Sequence, residues 1–377
     1  MIRFFSSLLL IILCSVTINA QTTSKEWFNK GIALNDSSRF TESSKAFERA
    51  IALDNNYAEA FYRAGWTYNE LNNFDKAIDR LLKAIQLKKD YAFALQELGY
   101  AYKKKENYTE ALNYLNQAVT IKPDYARAYK QLGDVYESLK RNEEGITAYE
   151  KAYALDNKEE QACYEAGYLY NGKGNYDKAL EWLNKAIALK PTVNSYNELG
   201  FAYYSLKKND EAIAAYKNAL RINPLNGTAY KGMGDVYRRN YAPAKTTEAI
   251  ENYRVAIRNN PSSAGSHFGM GWCFNELRNY DSSITYLLKA LQLDKTIQAA
   301  YTELGYAQYM KGLNYEALKT FDNGLALNPK QKLPIYYKGL VYVVLKDKYN
   351  ANKMYDLLPQ LDASLADKLL TKINTLQ

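Results

Sequence analysis

The sequence predicts an all-α fold: a stack of about ten helix-turn-helix units closed by a C-terminal capping helix. Three observations predict it. Ten glycines recur as a clock (Gly31, Gly65, Gly99, Gly133, Gly167, Gly200, Gly234, Gly271, Gly305 and Gly339), spaced by 34 residues except for one step of 33 and one of 37. Such regularity marks one supersecondary unit copied end to end. Apolar residues around each glycine fall at three- and four-residue steps, the helical period, as in Leu95, Leu98, Tyr102, Ala111, Leu115 and Ala118. Proline at Pro123, Pro191, Pro224, Pro261 and Pro329 stops the second helix of a unit, because it has no N–H to continue the ladder. Glycine in a helix costs about 1 kcal/mol relative to alanine. Helices that accept it ten times should need the missing side chain, so that backbones of neighbouring units approach closely.

Residues 1–20 differ in kind. Arg3 gives a basic start, Phe4 to Ile18 is almost uncharged, and Ile18-Asn19-Ala20 offers a cleavage site before Gln21. This is the layout of a secretory signal peptide, too short for the roughly 20 apolar residues of a membrane span. Leu13 before Cys14 is bulky where a lipoprotein site needs a small residue. The expectation is an exported bacterial protein, periplasmic, envelope-associated or extracellular, whose mature chain carries no transmembrane span. Repeats should fill residues 21–358, and a cap residues 359–377.

Composition supports packing as the source of stability. Hydrophobic residues make up 47% of the chain, with 36 tyrosines that can be half-buried and still reach water. Cys163 and Cys273 lie three units apart, too far in a stack of helices for the roughly 7 Å between α-carbons that a disulfide requires. Loss of residues 1–20 lowers the formal net charge from +8 to +7. Only Lys103-Lys104-Lys105 forms a tight basic run, so no sustained stripe for nucleic acid is present.

Individual units depart from the pattern. The first has Ile32 and Leu34 where aromatics are common, as expected of an end repeat with one open face. Gly145 replaces an alanine in the fourth, Gln308 a tyrosine in the ninth and Lys338 an apolar residue in the tenth. The seventh is three residues longer, with Arg239 to Thr247 forming either a surface loop or a partner-contacting finger. Beyond Pro359, Asp362 or Ser364 can cap a last helix whose Leu365, Leu369, Leu370 and Ile373 share one stripe.

A longer period underlies the units. The segment from Gly65 (GWTYNELNNFDKAIDRLLKAIQL) matches that from Gly271 (GWCFNELRNYDSSITYLLKALQL), with the segment from Gly167 between them in likeness. The following units share Glu97-Leu98-Gly99, Glu198-Leu199-Gly200 and Glu303-Leu304-Gly305, and those after share Gly133-Asp134-Val135-Tyr136 and Gly234-Asp235-Val236-Tyr237. Triplets of units were duplicated together.

These residues resemble the tetratricopeptide repeat family, whose motif is Trp-x2-Leu-Gly-x2-Tyr, then Ala-x3-Phe, then Pro. The resemblance implies a right-handed superhelical solenoid with a concave groove that holds peptide segments of other proteins. It also implies that the residue after each glycine and the one four earlier line that groove. The candidates are Tyr62, Trp66, Tyr100, Lys130, Asp134, Tyr164, Tyr168, Phe201, Lys231, Asp235, Phe268, Trp272 and Tyr306. Aromatic bands would alternate with the pairs Lys130/Asp134 and Lys231/Asp235. Two readings stay open: an exposed apolar groove for a segment of a partner, or aromatics packed on each other beside ordinary four-apart ion pairs. The clamp for C-terminal carboxylates known in the family uses Lys and Asn where this chain has Phe28, Ile32, Tyr62 and Trp66.

The chemistry of an enzyme is not legible. One histidine, His267, sits where a packed aromatic is expected, and no cofactor motif, nucleophile elbow or metal-ligand spacing appears. Carboxylates are expected on solvated faces and turns, without a convergent pair. The expectation is a non-catalytic scaffold for protein or peptide partners within an envelope complex, without cofactor, metal or nucleic acid. The alternative is a glycan-binding or polysaccharide-export helper that stacks sugars on the groove aromatics.

Overall fold

The computed structural model describes residues 23–241 and 243–376. The expected signal segment, with Cys14, and Ala242 of the seventh unit lie outside the described residues. Among the described residues there are twenty-one α-helices and no strand, and none of the helices is long and apolar enough to cross a membrane.

The chain divides into two compact units, ending and starting at Asn157 and Lys158. The first holds four hairpins: α1 (Ser24–Asp36) with α2 (Phe40–Leu53), α3 (Ala58–Glu70) with α4 (Phe74–Leu87), α5 (Ala92–Lys104) with α6 (Tyr108–Ile121), and α7 (Ala126–Ser138) with α8 (Asn142–Leu155). The second opens with α9 (Glu160–Gly172) and α10 (Tyr176–Leu189), α11 (Val193–Ser205) and α12 (Asn209–Ile222), and α13 (Gly227–Asn240) and α14 (Thr246–Asn259). It continues with α15 (Ala264–Glu276) and α16 (Tyr280–Leu293), α17 (Gln298–Met310) and α18 (Asn314–Leu327), and α19 (Lys332–Val344) and α20 (Lys348–Leu357), closed by α21 (Ala363–Ile373). Within each unit the first helices of successive hairpins touch one another, as α3 with α5 and α11 with α13. They form an inner layer, and the second helices pack behind it.

Each clock glycine is a socket for a side chain. A Cβ on Gly99 would stand 2.4 Å from Leu115 Cγ, one on Gly133 2.6 Å from the Tyr149 ring, and one on Gly305 2.4 Å from the Phe321 ring. The filling residue belongs to the second helix of the same hairpin, sixteen positions after its glycine in eight of the ten cases. This corrects the expectation of backbone meeting backbone between units: a bulky side chain enters instead, from within the unit. Two tyrosines need a second socket. The ring of Tyr216 also fills the space over Gly232, and that of Tyr253 the space over Gly269, each on the first helix of the next hairpin. At the end of the chain the supply changes. Gly339 is filled by Leu369 of α21, whose Cδ2 would lie 2.5 Å from the added Cβ. The last helix therefore supplies the packing that the ten-residue α20 leaves out.

The turns inside hairpins share one geometry. Ser38, Asn72, Glu106, Lys140, Lys207, Arg278 and Lys346 have φ between 56° and 60°, and Gly174 and Gly312 have 75° and 77°. All sit seven residues after their clock glycine. The seventh hairpin is the exception because of its insert, and Tyr241 there has φ −122°. The insert folds back on the protein: Tyr241 donates to Asp210 at 3.1 Å, Arg239 donates to Tyr204 at 3.2 Å, and Lys245 lies 4.8 Å from the Tyr241 ring.

The other departures are compensated locally. Gln308 is buried and accepts from the Thr320 hydroxyl at 2.7 Å. Lys338 keeps its ammonium on Asp322 and near the Tyr342 ring. Asp362, not Ser364, caps the last helix by accepting from the Leu365 N–H. On that helix Leu369 and Ile373 are fully buried, and Leu365 and Leu370 are half-buried.

Candidate functional site

The residues after the clock glycines stand on the inner layer, and most are partly covered. An aromatic at the start of one hairpin's second helix meets, edge-on, the post-glycine aromatic of the next hairpin. The pairs are Phe40 with Trp66, Phe74 with Tyr100, Tyr176 with Phe201 and Tyr280 with Tyr306, at ring separations of 5.9 to 6.4 Å. Tyr62 packs on Tyr91 at 5.0 Å, and Tyr306 also meets Tyr337 at 5.0 Å. Tyr168 and Phe201 are the most open, 44% and 41% exposed, and Tyr164 stacks beside Tyr168. Phe268 and Trp272 flank the guanidinium of Arg238 at 5.5 and 5.3 Å. Of the two readings of the aromatics, the packed one describes Trp66, Tyr100 and Tyr306 better, and the exposed one Tyr168 and Phe201.

The Lys–Asp pairs are parts of larger networks. Asp134 Oδ2 takes Lys130 at 3.1 Å and Lys103 at 2.8 Å, and Oδ1 accepts from the Tyr149 hydroxyl at 3.0 Å. Asp235 Oδ2 takes Lys231 at 2.7 Å, and Oδ1 accepts from Tyr253 at 2.7 Å. Arg238 donates to the same tyrosine oxygen at 3.0 Å. Each aspartate follows a glycine filled by a tyrosine, whose hydroxyl emerges beside the aspartate. Burial pushes the Tyr253 hydroxyl well above its ordinary range, so it stays a donor. An aspartate here completes the socket.

A second buried polar feature was not foreseen. Asn69 donates through Nδ2 to both the backbone oxygen and the side chain of Glu97, at 3.1 and 2.9 Å. Asn171 grips Glu198 in the same way at 3.0 and 2.9 Å, and Asn275 grips Glu303 at 3.1 and 2.8 Å. These carboxylates correct the expectation that acids lie only on solvated faces. Glu97 is almost fully buried, Glu198 and Glu303 are half-buried, and burial raises the affinity of all three for a proton. The signal lay in the triplets. Asparagine stands four residues after Gly65, Gly167 and Gly271, and glutamate two before the next clock glycine.

Two clefts of the inner layer lie over these clamps in the second unit. One, of about 330 Å³, gathers Tyr168, Asn171, Glu198, Phe201, Lys231 and Asp235. The other, of about 320 Å³, is bordered by Asn275, Glu303, Tyr306, Leu333 and Tyr337. Of the larger clefts, the one beside Trp27 holds Glu48, which is already paired with Arg80, and the one beside Tyr129 holds only exposed carboxylates. Thus Tyr168, Phe201, Lys231 and Asp235 converge, and Tyr306 borders the second cleft. Phe268 and Trp272 gather around Arg238, while Tyr62, Trp66, Tyr100, Lys130 and Asp134 belong to the first unit.

His267 is a packed ring, buried, with Nε2 3.0 Å from the Pro261 oxygen. Cys163 and Cys273 are buried free thiols, and burial pushes both up to about 12. Their nucleophilic thiolates are therefore suppressed at neutral pH.

Comparison with known proteins places this geometry. A TPR repeat profile matches residues 99–140, 167–207 and 200–240. Tetratricopeptide repeat profiles match residues 126–159, and 28–92 with 241–296. No curated protein matches the sequence. Solved structures similar to it include MamA, at 29% identity over 42% of this chain and 94% of that one, with a TM-score of 0.40. PilF of Pseudomonas aeruginosa is 21% identical over 54% of this chain and 92% of its own, at 0.46. Yeast Tom70 is 15% identical over 93% of this chain and 88% of its own, at 0.42. With repeat profiles running from residue 28 to residue 296 and sockets at every clock glycine, the chain belongs to the tetratricopeptide repeat family.

Proposed function

We propose that the protein is a non-catalytic scaffold, exported to the bacterial envelope or beyond, that holds polypeptide partners along the inner layer of its first helices. The observation that carries this reading is the cleft between Tyr168 and Phe201, where two open aromatics face the inner side with polar groups beneath them. Apolar area with a few converging polar groups is the common make-up of a binding pocket. Helix packing occupies the repeats from α1 to α21, which leaves binding surface as their main product. The export component rests on the composition of residues 1–20.

A sugar platform has less support. Trp66 meets the Phe40 ring edge-on, and Trp272 carries Arg238 near its ring. Both indoles are half-buried, so open flat faces are scarce.

Site-specific photocrosslinking tests the scaffold reading. A photoreactive residue placed at Phe201 should trap polypeptides in the envelope fraction, and one at the exposed Lys217 of α12 should not. Equal trapping from both positions, or none from Phe201, overturns it. Fractionation of cells producing the full chain tests export: the protein should leave the cytoplasm with residues 1–20 removed.

A further inference from the structure

The three Asn–Glu clamps are equivalent by register but differ in what faces them. In the first unit the Arg127 guanidinium lies 3.2 Å from Glu97 Oε1, with Arg127 half exposed and the Glu97 side chain 2% exposed. Arg127 stands six residues before Gly133. The same positions before Gly234 and Gly339 are Thr228 and Leu333. Neither side chain can neutralise a carboxylate, and both line the clefts over Glu198 and Glu303. Glu97 is paired with its arginine, whereas Glu198 and Glu303 each border a cleft.

The clefts also hold acceptors without donors. Asn171 and Asn275 are 4% and 5% exposed, and the Oδ1 of each has no hydrogen-bond partner. Their Nδ2 atoms are committed to the glutamates, which fixes the amide orientation. In the first cleft Asn197 Oδ1 is likewise buried and unpartnered. A buried acceptor without a donor is costly. Asn69 Oδ1 in the first unit is unpartnered too, so what sets the clamps of the second unit apart is the cleft beside each carboxylate and the missing arginine. Two neighbouring cations are engaged elsewhere: Lys231 on Asp235, Arg238 on Tyr253. Arg278 borders the second cleft with Glu276 and is exposed.

We propose, building on the scaffold reading, that Glu198 and Glu303 are the floors of two pockets that each accept one arginine side chain of an extended polypeptide partner. Arg127 is the internal copy of that ligand. The guanidinium suits this chemistry better than an ammonium. It donates through several N–H groups in a fixed plane, meeting a carboxylate and a side-chain oxygen together, and it lies flat on aromatic faces. Tyr168 and Phe201 border the first pocket, and Tyr306 and Tyr337 the second. The pockets recur after one triplet of hairpins in the same unit. A segment with two arginines would engage both and gain avidity without stronger single contacts.

The test is fluorescence anisotropy with a labelled peptide carrying two arginines in a flexible Gly-Ser context, beside a version with citrulline at both places. The arginine peptide should bind at least about tenfold more tightly, the scale of one charge-assisted hydrogen bond. Glu198→Gln with Glu303→Gln should remove that advantage. Thr228→Arg with Leu333→Arg should fill both pockets from within and block the arginine peptide, with thermal melting confirming the fold. Arg127→Thr should open a third site and raise the stoichiometry. Equal binding of the two peptides, or of a lysine version, overturns the arginine assignment, as does binding unchanged by Thr228→Arg with Leu333→Arg. Equal binding that is weakened by Phe201→Ala would leave the scaffold reading standing and remove only this one. Absence of binding by any peptide also overturns the arginine pockets, while the crosslinking experiment judges the scaffold separately.

Discussion

The Tyr149 hydroxyl donates to Asp134 at 3.0 Å, and its ring lies where a side chain on Gly133 would otherwise be. Tyr253 repeats the arrangement with Gly234 and Asp235. Where a leucine of the same hairpin fills the socket, at Leu81, Leu115, Leu183 and Leu287, the residue after the glycine is Trp66, Tyr100, Tyr168 or Trp272. The pattern has a physical reason. A tyrosine threaded through the socket brings a hydroxyl to the inner face, and a buried hydroxyl needs a partner.

Tyr253→Phe should therefore destabilise by about 1–3 kcal/mol, because it removes a buried hydroxyl that donates to Asp235 Oδ1 and accepts from Arg238. Tyr216→Phe should cost less, since the residue after its glycine is Phe201 and offers no acceptor. Urea midpoints of the two variants check the order.

Gly99→Ala should destabilise by about 1–3 kcal/mol through overpacking against Leu115, outweighing the helix-propensity gain. Gly172→Ala is the control. A Cβ there meets nothing within 4 Å, so the change should be neutral or stabilising by up to about 1 kcal/mol. Thermal melts of both proteins give the signs.

Lys207→Gly and Glu106→Gly should each stabilise by roughly 1 kcal/mol. Both residues are exposed and hold a left-handed backbone, which glycine adopts without a Cβ penalty. A higher unfolding midpoint for each is the expected result.

The hairpins and their ends were legible because the glycine clock, the helical period and the prolines all state local geometry. The sockets were half legible. Gly133 announced a missing side chain, but not whether backbone or Tyr149 would enter, since both satisfy the same spacing. The Asn–Glu clamps were visible as letters in the triplets, yet Asn171 and Glu198 lie 27 residues apart, and no local rule couples them. Exposure of the aromatics was not legible either. Phe201 and Tyr306 occupy one register position, and only the presence of Tyr337 against Tyr306 separates the covered one from the open one.

Glu303→Gln should raise stability at neutral pH, with the gain shrinking on acidification. Burial raises the proton affinity of Glu303 in the folded chain. Its ionised form therefore opposes folding above its folded pKa, and the penalty disappears as pH falls to its unfolded value of about 4.3. Glutamine keeps the oxygen that accepts from Asn275 and carries no charge. Melting temperatures of the two proteins should converge toward pH 4, and a constant difference would contradict the assignment.

Leu369→Ala should cost about 2–5 kcal/mol locally, by emptying the socket of Gly339. In a stack where each hairpin leans on its neighbours, hydrogen exchange should quicken first in α19–α21, while α9–α12 keep their protection.

The pairing of each socket with the residue beside it governs how such a chain can change. A hairpin that trades its leucine plug for tyrosine gains a hydroxyl that aspartate can receive, as Asp134 does for Tyr149, while Tyr216 beside Phe201 keeps the tyrosine without that partner. Asp134 and Tyr149 therefore work best inherited together, as a cassette. Wholesale copying of three hairpins at once preserves such cassettes where stepwise drift would break them, and repeat arrays assembled by design should shuffle whole hairpins for the same reason.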